Sequence, residues 1–175
     1  MIFCADDLVQ SDPKATALFV AVASAAAANS WTMVNGFSVA RVYSSAAEEY
    51  EAATQSVAVA DFGPVIRYTA RGSDASRLLA RVTTAPVANL EPGESARGLM
   101  LDERGHVVDV VETARLAHDL YLLSSSHRHA RRLQLAARGF DAVIEEITGL
   151  VAALALIGPE ARDAAAAAGV DAASD

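Results

Sequence analysis

The densest run of residues able to do chemistry is Glu91 to Arg115, EPGESARGLMLDERGHVVDVVETAR, where a single carboxylate, Asp109, interrupts a Val-Val-x-Val-Val strand pattern. Side chains alternate along a strand, so Val107, Asp109 and Val111 are expected on one face and Val108, Val110 and Glu112 on the other. A carboxylate in such a strand either faces a site or pairs with an arginine such as Arg97 or Arg115. Tuned by burial or by a partner, it can exchange a proton or stabilise a cation. A second concentration is His127-Arg128-His129-Ala130-Arg131-Arg132, the one basic cluster of an acidic chain, set just after Ser124-Ser125-Ser126. At the start of a helix such a cluster attracts anions, with the serine hydroxyls beside it; the plainer alternative is a solvated first turn. His127 and His129, two apart, would face different sides of that helix, which argues against a metal centre. Tyr121, inside the apolar Leu-Tyr-Leu-Leu run, is either core or a ligand contact.

These residues need elements to hold them. Glu91-Pro92-Gly93 reads as a turn, residues 96–101 as a strand, Asp102-Glu103-Arg104-Gly105 as a tight hairpin and residues 106–115 as the returning strand. Residues 119–123 form a short buried strand, and Ser124–Ser126 cap a helix over 127–138. Upstream, Asp12-Pro13 opens an Ala-rich helix over 13–28, and Ser45 with Glu48 three residues on has capping-box spacing for a helix over 45–55. Strands are expected at 57–61, 65–70, 140–148 and 150–157, and helices at 74–82 and from Pro159 onward. Arg71-Gly72-Ser73-Asp74-Ala75 and Ile157-Gly158-Pro159-Glu160-Ala161 form a weak internal repeat, each ending a strand on glycine and opening a helix on an acid followed by alanine. The irregular alternation points to an α+β fold, an antiparallel or mixed sheet with helices on one face. No GxGxxG, P-loop or GxSxG motif is present.

A chain of 175 residues is one ordinary domain by length. Its net charge of -8 argues against a nucleic-acid surface. Cys4 is the only cysteine, so no internal disulfide and no Cys-based metal centre can form, which fits a reducing cytoplasm. The Ala15–Ala28 run is too short to span a bilayer and its acidic flank is wrong for a signal peptide, so no membrane association is expected.

Several segments, in order, resemble the T-protein of the glycine cleavage system, the tetrahydrofolate-dependent aminomethyltransferases and their demethylase relatives. Leu101-Asp102-Glu103-Arg104-Gly105-His106-Val107-Val108-Asp109 is similar to that family's hairpin. Tyr43-Ser44-Ser45-Ala46-Ala47-Glu48-Glu49-Tyr50, Val57–Phe62, Tyr68–Ala75, Arg81–Thr84 and Leu154–Ala161 look like its other elements. The resemblance implies a folate-binding domain over 31–170, preceded by a tail and Ala-rich helix over 1–30 and followed by a frayed tail at 171–175. It implies tetrahydrofolate as cofactor, a methylated or aminomethyl donor as substrate, and Asp109 as the catalytic carboxylate. Around it, Arg97, Tyr121, Ser124 and Val65 would line the site, and Arg128 and Arg131 would hold an acidic tail.

This sequence departs from the family pattern in four places. Val110 stands where a second acid is usual and Arg97 where an aromatic is usual. Phe62-Gly63-Pro64 replaces Ser-His-Met after Asp61, and family members continue well past this length. A wall from a second copy or another subunit is therefore expected. Two alternatives to the one-carbon transferase or demethylase subunit stay open: a non-catalytic subunit that stabilises a partner, or a site turned over to another small organic acid or amine.

Overall fold

The computed structural model describes residues 12–170; Cys4 and the frayed tail expected at 171–175 lie outside them. In chain order the elements are β1 (Lys14–Ala15), α1 (Phe19–Ala25), β2 (Ser30–Val34), β3 (Phe37–Val42), α2 (Ala46–Gln55), β4 (Ala58–Asp61), β5 (Ile66–Arg71), α3 (Ala75–Val82), β6 (Ser95–Leu101), β7 (Val107–Ala117), β8 (Leu120–Ser125), α4 (Ala130–Ala136), β9 (Val143–Glu146), β10 (Leu154–Ile157) and α5 (Ala161–Ala167), with short 3-10 turns at Val87–Asn89 and Thr148–Leu150. The chain divides into two units. One runs to Pro64 and resumes at Ala152, and the other spans Val65–Val151.

The Val65–Val151 unit is a five-stranded antiparallel sheet in the order β6-β7-β8-β5-β9. Alternation decides its two faces. Ile66, Tyr68 and Ala70 of β5, Met100 of β6, Val111 of β7 and Tyr121 and Leu123 of β8 point to one side. There they meet Ala75 and Leu79 of α3 and Leu133 of α4, all buried. Each large apolar side chain so buried contributes about 1.5–3 kcal/mol. Both helices therefore cover a single face, and the fold is α+β with helices on one side of an antiparallel sheet. The β6–β7 hairpin is pinned by Asp102, whose Oδ1 accepts the N–H groups of Arg104 and His106, each at 2.8 Å.

The other unit holds a three-stranded sheet, β1-β3-β2, and a two-stranded sheet, β10-β4. Ser45 caps α2 as its spacing suggests, accepting the Glu48 N–H at 3.3 Å. The Ala-rich helix is shorter than the sequence implies. Lys14 and Ala15 pair in parallel with Phe37 and Ser38, and only Val22 of α1 is buried, so little packing extends the helix beyond Phe19–Ala25.

The weak sequence repeat is real in the backbone. Gly72 has φ 134° and Gly158 φ 136°. At the first, the Asp74 N–H donates to the Asp141 carbonyl at 3.1 Å; at the second, the Glu160 N–H donates to the Ser56 carbonyl at 3.0 Å. A Cβ at Gly72 would run into the carbonyl oxygen of Asp141, and one at Gly158 into that of Ser56. Each glycine lets a strand turn at once into a helix against its own antiparallel neighbour.

Candidate functional site

The face of the five-stranded sheet opposite α3 and α4, uncovered within this unit, carries a row of polar residues. Arg97 of β6 is directly opposite Glu112 of β7, Glu112 opposite Ser124 of β8, and Ser124 opposite Arg67 of β5. Directly opposed residues point to the same side with Cβ atoms about 4.5–5.5 Å apart, so the row is contiguous. Around it lies a shallow hollow of about 150 Å³ lined by Val65, Arg97, Val110, Glu112, Ser124 and Ser126, with Val111 and Ser125 contributing from beneath. Glu112 accepts a hydrogen bond from Ser95 Oγ at 3.1 Å. Among the described residues the Arg97 guanidinium makes no ion pair, although a carboxylate stands directly across from it in the ladder. The hollow thus offers a guanidinium, a carboxylate, hydroxyls and two valines to whatever enters it.

Three of the residues named from the sequence, Arg97, Ser124 and Val65, line this hollow. Asp109 does not. A bulge moves the register so that Met100 pairs with Asp109 and Leu101 with Val107, which drops Val108 from the ladder. Val107 is consequently exposed, Val108 packs against the core, and Asp109 joins Val111 and Thr113 on the covered face. Asp109 is 6% exposed and its oxygens are occupied. Oδ1 accepts the Val110 N–H at 2.8 Å, and Oδ2 accepts the His127 N–H at 2.9 Å and lies 2.9 Å from His129 Nε2. Burial is the largest influence and pushes this carboxyl's pKa up, but the hydrogen bonds from His129, His127 and Val110 together outweigh it and hold the group below the ordinary carboxylate range.

The basic cluster also sits differently from the sequence expectation. Ser124 and Ser125 belong to β8 and α4 starts only at Ala130, so residues 126–129 form a loop with no serine cap. The Asp109 carboxylate gathers this loop from behind, and the His129 N–H donates to the Tyr68 hydroxyl at 2.7 Å. Burial pushes the Tyr68 hydroxyl's pKa up, partly offset by that His129 N–H. Arg128 is engaged by Glu146, with Nε 2.9 Å from Oε1. Arg131 is exposed, and Tyr121 is buried on the covered face under the Arg115 guanidinium. Neither they nor Arg128 line the hollow. Sequence reasoning missed Val110, Glu112 and Ser126 as lining residues. Alternation already set Val110 and Glu112 together on the face opposite Asp109, and taking Asp109 as the site residue passed over that face.

Among the described residues no group of three or more His, Cys, Asp or Glu is placed to hold a metal, and no helix is long and apolar enough to cross a membrane. The fold is that of a glycine cleavage T-protein: over 92% of this chain and 45% of the other it matches the aminomethyltransferase T of Bartonella henselae with a TM-score of 0.82, at 22% identity. Residues 17–174 match the model of the GCVT N-terminal domain, and the chain belongs to that family. It is 30% identical over 131 residues to an aminomethyltransferase of Thermus thermophilus, covering 73% of this chain and 38% of that enzyme. It is also 30% identical over 126 residues to the sarcosine oxidase subunit alpha of a Corynebacterium species, covering 67% of this chain and 13% of that one. A 4-methylaminobutanoate oxidase (formaldehyde-forming) of Paenarthrobacter nicotinovorans is 26% identical over 121 residues. The chain spans well under half the length of these relatives.

Proposed function

We propose that the uncovered face of the five-stranded sheet is one wall of a tetrahydrofolate-binding site in a one-carbon transferase or demethylase. The observation that carries this reading is the hollow, where Arg97 and Glu112 stand opposite one another without pairing, beside Ser124 and between Val65 and Val110. The donor set fits a reduced pterin. Glu112 can accept the ring's amide and amino N–H groups, Arg97 can donate to its carbonyl oxygen or stack on its plane, and Val65 and Val110 can pack on its face. The volume alone does not enclose it, since drug-sized ligands occupy sites of roughly 300–1,000 Å³. A second wall is therefore part of the reading, supplied by another segment, another copy or another subunit.

Tetrahydrofolate, when bound, supplies the nitrogen that takes up the one-carbon unit. The chain's own residues then bind and orient: Glu112 holds N–H donors or an ammonium, Arg97 fixes a flat ring or a carboxylate, and the valines exclude water from one side. Asp109 takes no part in the chemistry, because its oxygens are already hydrogen-bonded on the other side of the sheet. The donor substrate in this reading is a methylated or aminomethyl amine, the class that the names of the sarcosine and methylaminobutanoate oxidases describe for those relatives.

One observation favours a second reading. The residue beside the hollow at the usual second acid is Val110, which can neither take nor give a proton. A wall so built would bind ligand and stabilise a partner without turnover. Calorimetric titration with 5-formyltetrahydrofolate tests the binding common to both: micromolar affinity supports it and no heat at millimolar ligand overturns it. Turnover of a methylated amine in the presence of tetrahydrofolate then selects the first reading, and its absence from a chain that binds folate selects the second.

A further inference from the structure

Backbone pairing between β7 and β8 ends at Val111 and Ser125. Continued by two residues, that register would set Asp109 opposite His127. No backbone rung forms there. Instead the Asp109 side chain takes the rung's place, with Oδ1 on the Val110 N–H at 2.8 Å and Oδ2 on the His127 N–H at 2.9 Å. The His129 ring closes on the same oxygen at 2.9 Å, and Ser125 Oγ donates to the His127 carbonyl at 2.8 Å. The chain leaving β8 is thus tied to β7 by one carboxylate, and the residues immediately before the tie, Ser124 to Ser126, edge the hollow on the opposite face.

We propose that Asp109 is a positioning residue for the ligand hollow: its carboxylate carries the β7–β8 pairing one step past the last backbone rung and so fixes Ser124–Ser126 at the hollow's edge. This inference rests on the reading of the hollow as a ligand wall. Asp109 touches no ligand itself. Its negative charge matters because two N–H donors and the His129 ring converge on it, and a carboxylate is the one side chain of that length able to accept from all of them.

Two readouts on the full chain test this, and one of them needs no ligand. In Asp109→Ala both acceptor oxygens are gone and the His127 N–H loses its partner, so exchange of the His127 amide with solvent is expected to accelerate by about tenfold or more, while the Leu123 amide within β8 keeps its protection. At a temperature where the variant is fully folded, affinity for 5-formyltetrahydrofolate is expected to fall about tenfold, the size of one lost charge-assisted hydrogen bond. Thr113→Val, a buried polar change on the same face of the same strand, should move neither readout. Unchanged His127 exchange in a folded Asp109→Ala overturns the inference, and so does accelerated exchange with unchanged affinity. If the wild type fails to bind folate, the function proposed above falls while the exchange result still decides whether Asp109 fixes this edge.

Discussion

The two faces of strand β7 treat their polar residues in opposite ways. On the covered face Asp109 is buried and every convergent donor finds it, whereas on the uncovered face Glu112 and Arg97 stand opposed and do not pair. A buried carboxylate must be satisfied or it destabilises the fold; an exposed one can be left for a ligand at almost no cost. The proposed function follows that difference, with Asp109 positioning and Glu112 recognising, although the two residues are only three apart.

Substitutions break this contrast in order of size. Leu123→Ala on the covered face, where the side chain is fully buried, should cost about 2–5 kcal/mol in chemical denaturation. Asp109→Asn should cost about 1–3 kcal/mol, because an amide nitrogen replaces one of two accepting oxygens and leaves one part-buried N–H without its acceptor. Its effect carries a pH signature. The folded carboxyl titrates below its ordinary range, so its contribution is complete above the unfolded value of about 3.9 and is lost as pH falls through the lower folded value. Melting curves of wild type and Asp109→Asn should therefore stay apart at pH 6 and converge as the pH drops below about 3.9. Thr113→Val should raise stability by up to about 1 kcal/mol, since the buried Thr113 hydroxyl has no partner among the described residues. Glu112→Gln should stay within roughly 0.5 kcal/mol of wild type, as an exposed substitution that breaks one surface hydrogen bond.

Much of the frame was legible from sequence because its signals are local. The Asp102 to Gly105 turn, the Ser45 cap and the apolar alternation of β5 and β8 each depend on a few adjacent residues, and each element stands close to its expected place. The ordered motifs identified the family, which the matched domain model shows. Alternation set Asp109 beside Val111, where it stands, but not which face the helices cover, because that turns on the packing of α3 and α4 and on a loop brought in from residues 126–129, while the bulge between the Met100 and Leu101 pairs moved Val107 away from them. That loop was read as the first turn of a helix, since Ser124–Ser126 look like a cap. In the fold two of those serines finish a strand instead. Long-range pairing decided both cases, and no local pattern encodes it.

In the proposed function, ligand meets the uncovered face through Val110, Glu112, Arg97 and Ser124. The most direct measurement is a set of two-dimensional NMR spectra of the labelled chain during addition of 5-formyltetrahydrofolate. Saturable shifts are expected at Val110, Glu112, Ser124 and the Arg97 side chain, with Tyr68, Leu79 and Leu133 on the covered side nearly still. Shifts centred on the α3 and α4 side, or none at saturating folate, would contradict it.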